Sequence, residues 1–356
     1  MPDPSYPAHP LPLWRCLVIA LIRRFYFYRI RVAGDLPKVE GAHLILVSHR
    51  NGAIDGYSVL AAYPEAQFLI SIQLLRKFLL RLMFAGIPVV RAQDKRRYGI
   101  KRSVCADPIV ASCDYLRAGG TLALFPEGTS DWGPHPQPCQ AGSARIVRRL
   151  LEEGVKLTVT PLGLFYHVPD RFRSDVDLLP GPPVVLPSQN PDETPRAWEK
   201  RIAAALEKAL DAVSPNCPDM DVFARVEKLA AADAGPSPSQ PSYAQAFKHW
   251  EAVARNTPEQ LPEASNLPVK KACGCQAWVW PFIACFCLVF APVLLVGAYV
   301  GTKADGRNTV SFFRIIGGFA TALVWLPVLL VLWGCFPLHM TIALLLALVG
   351  GWKWKR

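Results

Sequence analysis

The sequence predicts an α/β domain layered around a largely parallel sheet, followed by a C-terminal helical membrane region. Three observations predict it. From Arg29 onward, short apolar runs of strand length alternate with segments of helical spacing, the pattern of a layered α/β fold. Three of those runs end on polar or charged residues: LILV on Ser48-His49, IPVV on Arg91, and TLALF on Pro126-Glu127-Gly128-Thr129. Residues 276–302 and 315–352 contain no Asp, Glu, Lys or Arg, and about 20 apolar residues are enough to cross a bilayer as a helix.

Taken in order, residues 1–10 hold four prolines and are expected to be irregular. WRCLVIALIRRFYFYRI (14–30) reads as a short helix, too charged to span and suited to lying on a membrane surface. RIRV begins the sheet and a Gly34-Asp35 turn follows. LILV (44–47), FLISI (68–72), IPVV (87–90), TLALF (121–125) and LTVTPLGLF (157–165) read as strands. GYSVLAA (56–62) and LLRKFLLRLMFA (74–85) read as helices, the second with mixed apolar and basic faces. In DPIVASCDYLRAGG (107–120), Asp107 caps a helix, Pro108 is its first residue and Gly119 stops it. Helices also follow over 141–154, 196–213 and 243–256, with PSPSQPS (236–242) as a linker.

The first uncharged run predicts one transmembrane helix, about Ala277 to Val300. The second is too long for one span, and Gly334 and Pro337 divide it into segments near 315–332 and 338–352, giving two or three spans in all. Trp278, Trp280, Trp352 and Trp354 lie near the ends of these runs, where interface residues belong.

The chain has 39 Lys and Arg against 28 Asp and Glu, a net charge of +11. Residues 1–110 hold 16 basic against 7 acidic residues. Such a surplus attracts polyanions, and beside apolar spans an anionic lipid surface is the expected partner. No nucleic acid is expected, because no aromatic stacking platform or binding motif accompanies the charge. The ten cysteines are scattered. Cys273 and Cys275 form a lone C-x-C without a second pair, so no metal is expected, and free thiols in a reducing compartment are. No cleavable signal peptide is recognised, and the α/β domain is expected to face the cytosol as part of an integral membrane protein.

In a parallel sheet the carboxyl ends of the strands share one edge, where ligands bind. His49, Arg91 and Glu127 can therefore converge despite their distance in sequence. A neutral histidine can take the proton of a substrate hydroxyl as that oxygen attacks an acyl carbonyl, and a neighbouring carboxylate fixes its tautomer. Asp55 is six residues after His49. On one continuous helix the two would turn about 600° apart, so they meet only if RNGAI forms a loop, which Asn51-Gly52 permits. Arg91 suits a phosphate, or else a surface ion pair. Glu127 with Gly128 and Thr129 suits substrate hydroxyls and an anion, or else local backbone amides.

SHRNGAID, GIPVVR, FPEGTS and VTPLG together resemble the four ordered blocks of the glycerolipid acyltransferases, a family that includes glycerol-3-phosphate and lysophosphatidic acid acyltransferases. The resemblance covers roughly residues 29–190, and FPEGT (125–129) is its most specific part. It implies His49 as general base with Asp55 as its partner. It implies that Arg91, Glu127, Gly128 and Thr129 bind the glycerol phosphate acceptor, and that Pro161 lines the acyl side. It implies an acyl thioester donor on coenzyme A or acyl carrier protein, and no cofactor. The family usually places four residues between the histidine and the aspartate, whereas this chain has five, and Ser130 stands where many members have a basic residue.

The organisation expected is an N-terminal interfacial helix segment over 1–28, the acyltransferase domain over 29–215, a helical linker region over 216–275 and a transmembrane region over 276–356. The expected function is transfer of a fatty acyl group from acyl-CoA or acyl-ACP to a hydroxyl of lysophosphatidic acid in phospholipid synthesis. Glycerol-3-phosphate or a lysophospholipid is the alternative acceptor. A catalytically silent lipid-binding membrane protein is the alternative from another class.

Overall fold

The computed structural model describes residues 13–90, 99, 107–235, 240–262 and 277–354. Among them, Arg29–Val32 (β1), Ala42–Val47 (β2), Gln67–Ser71 (β3), Ile87–Val89 (β4), Thr121–Leu124 (β5), Leu157–Tyr166 (β6) and Asp175–Pro180 (β7) form one sheet in the order β1-β7-β6-β2-β5-β3-β4. All neighbours pair parallel except β6 and β7, which are antiparallel. β2 is central and every residue of it is buried, which is why AHLILV is continuously apolar.

The helices of this region are Leu13–Leu21 (α1), Asp55–Ala62 (α2), Ile72–Arg76 (α3), Phe78–Met83 (α4), Pro108–Arg117 (α5), Ala141–Glu152 (α6), Pro195–Val213 (α7), Met220–Asp233 (α8) and Tyr243–Asn256 (α9). The predicted cap holds at α5, where the Asp107 carboxylate accepts from the Ile109 amide at 2.8 Å. The strand period of two sorts the core into faces. Ile45, Val47, Leu162, Leu164 and Tyr166 point to the side of α2 and the N-terminal segment, while Leu44, Leu46 and Val159 point to α5, α6 and α7. Within 216–275, α8 and α9 pack Phe223, Val226 and Phe247 into a buried cluster with Phe165 of β6.

Two predicted helices are interrupted. The 14–30 helix becomes α1 followed by a π-helical turn, Ile22–Tyr26. The 74–85 helix breaks at Lys77, whose backbone is extended (φ −97°, ψ 131°).

The C-terminal segment holds Trp280–Val289 (α10), Ala291–Gly301 (α11), Val310–Cys335 (α12) and Pro337–Lys353 (α13). The single continuous helix predicted over 277–300 is corrected here: it breaks at Phe290 and its two halves bend by 76°. Pro292 lacks the N–H that would continue the helical ladder. Among the described residues α12 is the one unbroken helix long and apolar enough to cross a membrane, with 26 residues, or about 39 Å at 1.5 Å per residue. The second predicted break is present, with α13 starting at Pro337. α13 packs closely on α10, and a Cβ on Gly350 would lie 1.9 Å from the Phe282 carbonyl oxygen.

Both ends of the α12–α13 hairpin touch the α/β domain. Arg314 donates to the Asp170 carbonyl, and Arg173 donates to the Trp352 and Trp354 carbonyls, both at 3.1 Å. Arg173 has a positive φ of 63°, and its buried guanidinium also binds the Arg24 carbonyl at 2.9 Å. One side chain thus ties the segment after α1 and the end of α13 to the domain.

Candidate active site

At the carboxyl end of β2, Ser48 continues the sheet by donating its amide to the Leu162 carbonyl (3.1 Å), while its hydroxyl accepts from the Leu164 amide (2.9 Å). The next residue, His49, is held on both sides of its backbone. Its amide donates to Glu127 Oε1 at 2.7 Å, and its carbonyl accepts from the Asp131 amide at 3.1 Å. Its ring stacks on Phe125, centroid to centroid 4.5 Å.

RNGAI forms the loop the pairing requires. Gly52 adopts φ +61°, a left-handed conformation that glycine reaches without strain, and opens a 3-10 turn over Gly52–Ile54. Asp55 follows as the first residue of α2, fully buried. His49 Nδ1 lies 2.9 Å from Asp55 Oδ2. The same oxygen accepts from the Arg50 amide at 2.8 Å and the Asn51 amide at 2.9 Å. Asp55 Oδ1 accepts from the Tyr166 hydroxyl at 2.6 Å. An ionised carboxylate only accepts, so the imidazole proton sits on Nδ1 and Nε2 keeps its lone pair. Tyr166 is held well above the ordinary phenol range, first by burial and then by the Asp55 charge, so it stays a donor.

His49 lines a cavity of about 540 Å³, within the size range of small-molecule sites. Gly128, Thr129, Ser130 and Thr309 share its wall, and most of the rest is apolar, with Leu60, Phe68, Ile70, Met83 and Phe84. The arrangement offers a hydrogen-bond acceptor of fixed tautomer beside an apolar chamber. It can take a proton from a hydroxyl brought to Nε2.

The predicted residues fare unequally. His49 and Asp55 are brought together, and Gly128 and Thr129 share the cavity wall with His49. Arg91 lies outside the described residues. Glu127, expected as an acceptor ligand, is 3% exposed and absent from the wall of this cavity, and its second oxygen accepts from the Gln137 amide at 2.9 Å. Its carboxylate is committed to positioning the backbone of His49. Burial holds it above the ordinary carboxylate range, against the opposing pull of the two amides. Pro161 is the residue the resemblance places on the acyl side. It lies on the face of β6 opposite Leu162, Leu164 and Tyr166, close to Gly181, and does not line the cavity.

Other residues join the site unannounced by the sequence. Arg50 is 2% exposed, donates to the Gly133 carbonyl at 2.9 Å, and lies 4.7 Å over the Trp132 ring. Burial lowers its affinity for the proton, while the charges of Glu127, Asp131 and Asp55 oppose that. Asn308 donates to the Ser130 carbonyl and hydroxyl at 2.9 and 3.0 Å, a contact across 178 residues with no local signature.

No family model matches the chain. It is similar to glycerol-3-phosphate O-acyltransferase 2 of Saccharomyces cerevisiae, 30% identical over 115 residues, covering 31% of this chain and 16% of that protein. Glycerol-3-phosphate O-acyltransferase 1 of the same yeast is 27% identical over 124 residues, 33% of this chain and 16% of that protein. The chain thus matches 16% of the length of each of these relatives. The crystal structure of the 1-acyl-sn-glycerophosphate acyltransferase PlsC from Thermotoga maritima is 17% identical, covering 55% of this chain and 79% of that one, with a TM-score of 0.36.

Proposed function

We propose, from the chain's similarity to glycerol-3-phosphate O-acyltransferases, that it moves a fatty acyl group from a thioester to the hydroxyl of a phosphorylated glycerol acceptor. The observation that carries this is the Asp55–His49 pair at 2.9 Å, with the imidazole on the wall of a largely apolar cavity. In the proposed reaction, the acceptor hydroxyl approaches Nε2 and passes its proton there as its oxygen bonds to the thioester carbonyl carbon. The carbon–sulfur bond then breaks, and the imidazolium returns the proton to the leaving thiolate. The buried Asp55 carboxylate stabilises the imidazolium in between. A thiolate leaves readily, so no covalent acyl-enzyme is needed.

The acceptor we propose is lysophosphatidic acid, met at a membrane surface, with acyl-CoA or acyl carrier protein as donor. Gly128 and Thr129 would face its phosphorylated end, with Arg91 as the cation for the phosphate. α12 would cross the bilayer, with the α/β domain on the cytosolic side. The exposed stripe Leu13, Leu17, Leu21 and Phe25 would lie in the lipid interface beside it, drawn there also by the basic surplus.

The test is an acceptor and donor panel on the detergent-solubilised protein, read by mass spectrometry of the product. Lysophosphatidic acid, glycerol-3-phosphate and a lysophospholipid are each offered with acyl-CoA and with acyl carrier protein. The expected result is acylated lysophosphatidic acid from the wild type and none from His49→Ala. Preference for glycerol-3-phosphate, the substrate in the yeast relatives' names, would move the acceptor assignment. No transfer to any acceptor, with retained binding to anionic vesicles, would replace the enzyme by a lipid-binding protein.

A further inference from the structure

Thr309 and Phe312, just before and within the first turn of α12, line the same cavity as His49. They lie far outside the four sequence blocks, in the segment otherwise suited to crossing a membrane. Their position is fixed from several directions. Asn308 holds Ser130, and Ser311, fully buried, donates to the Pro169 carbonyl at 2.6 Å and accepts from the Tyr26 hydroxyl at 2.8 Å. Arg307 Nε donates to the Asp170 carboxylate at 3.0 Å. Pulling the helix start away would break the bonds that the buried Ser311 hydroxyl makes to Tyr26 and Pro169, so this wall belongs to the resting structure.

Phe312 lies in the first turn of α12, four residues after Asn308. Its ring lies 5.9 Å from that of Phe84, tilted by 43°, and Phe84 lines the cavity from the end of α4. Two rings from distant parts of the chain therefore meet along the apolar wall. We infer that Phe312 is a specificity-determining residue: with Phe84 it bounds the chamber that receives the acyl chain, and its size sets which chains fit. The inference rests on the acyl-transfer reading above and assigns the start of the apolar helix a part in substrate choice beyond anchoring.

The test uses the full chain. Transfer from stearoyl-CoA and from lauroyl-CoA is measured for the wild type, Phe312→Ala and Phe312→Trp. The ratio of kcat/KM for the longer over the shorter donor is expected to rise about tenfold or more with alanine and to fall by a similar factor with tryptophan, since one or two methylenes in an apolar pocket are worth that much. In parallel, a fatty acyl-CoA with a diazirine at the chain end is photo-crosslinked to the wild type and to His49→Ala, and the labelled peptides are mapped. Label on residues 309–314 is expected in both. An unchanged ratio in folded, active variants, or label confined to other peptides, would overturn the inference. Label on 309–314 in a wild type that transfers nothing would uphold the chain-binding wall while removing the catalytic reading.

Discussion

Replacing Asp55 by asparagine separates the two ways a buried carboxylate can serve a histidine. Asparagine offers one oxygen and one NH₂ where aspartate offers two acceptors. The Arg50 amide is a fixed donor 2.8 Å from Oδ2, the Asn51 amide is shared between Oδ2 at 2.9 Å and Oδ1 at 3.0 Å, and the Tyr166 hydroxyl on Oδ1 at 2.6 Å can turn and accept. The asparagine oxygen therefore takes the Oδ2 position, and His49 Nδ1 keeps an acceptor. The tautomer survives and the negative charge is lost. A unit charge about 4 Å from the imidazolium is worth about 4 kcal/mol at an effective dielectric constant near 20, or about a thousandfold in rate. The assay is kcat and KM for Asp55→Asn beside the wild type and His49→Ala, with thermal melting as the control on folding. The expectation is kcat down by about 10³ with KM unchanged, because Asp55 is fully buried and does not line the cavity. A folded Asp55→Asn enzyme within tenfold of the wild type would refute the electrostatic reasoning.

Four further outcomes follow from the same geometry. Tyr166→Phe removes the 2.6 Å bond to Asp55 and should cost about 1.5–3 kcal/mol of stability, with kcat reduced about tenfold, measured by melting and by rate. Glu127→Gln should be about as damaging to activity and melting as Glu127→Ala, because two fixed amides, from His49 and Gln137, aim at two oxygens and glutamine supplies one. His43 is buried against Thr160 and its proton affinity is pushed down to about 4, so the unfolded chain takes up the proton first. Its contribution to stability is full above about pH 6.5 and is lost as pH falls towards 4; melting across that range should show the decline, and His43→Gln should flatten it. Arg173→Lys keeps the charge but loses the fork that binds four carbonyls, and should lower the melting temperature and expose the C-terminal residues to protease.

What the sequence disclosed and what it hid divide along physical lines. β2 and β5 were legible because central parallel strands are apolar throughout. β7 was not, since Asp175 and Asp177 make DVDLLP read as loop. In the sheet they stand in register with Arg29 and Arg31 of β1, paired at 3.3 and 3.1 Å, so the charges are answered across the strand pair. α8 was overlooked although Asp219 caps it and Phe223, Val226 and Ala230 recur at helical spacing.

The site shows the same division at finer scale. The His49–Asp55 pair followed from loop length and the Asn51-Gly52 dipeptide, both local. The face of Pro161 was also within reach: it lies five residues before Tyr166, an odd step, so the two side chains leave β6 on opposite faces. Glu127 is different in kind. A carboxylate in a Gly-Thr loop looks free for substrate, and only the fold reveals that two backbone amides occupy it. Backbone donors carry no residue identity, so positioning residues that work through them stay hidden until the chain is folded. Asn308 and Phe312 are hidden for a related reason, since the polar rim and apolar wall they complete are built by residues more than 170 positions earlier. A composition suited to the bilayer masks that second task, because the phenylalanine that faces an acyl chain in a cavity and the one that faces lipid are chosen by the same transfer energetics.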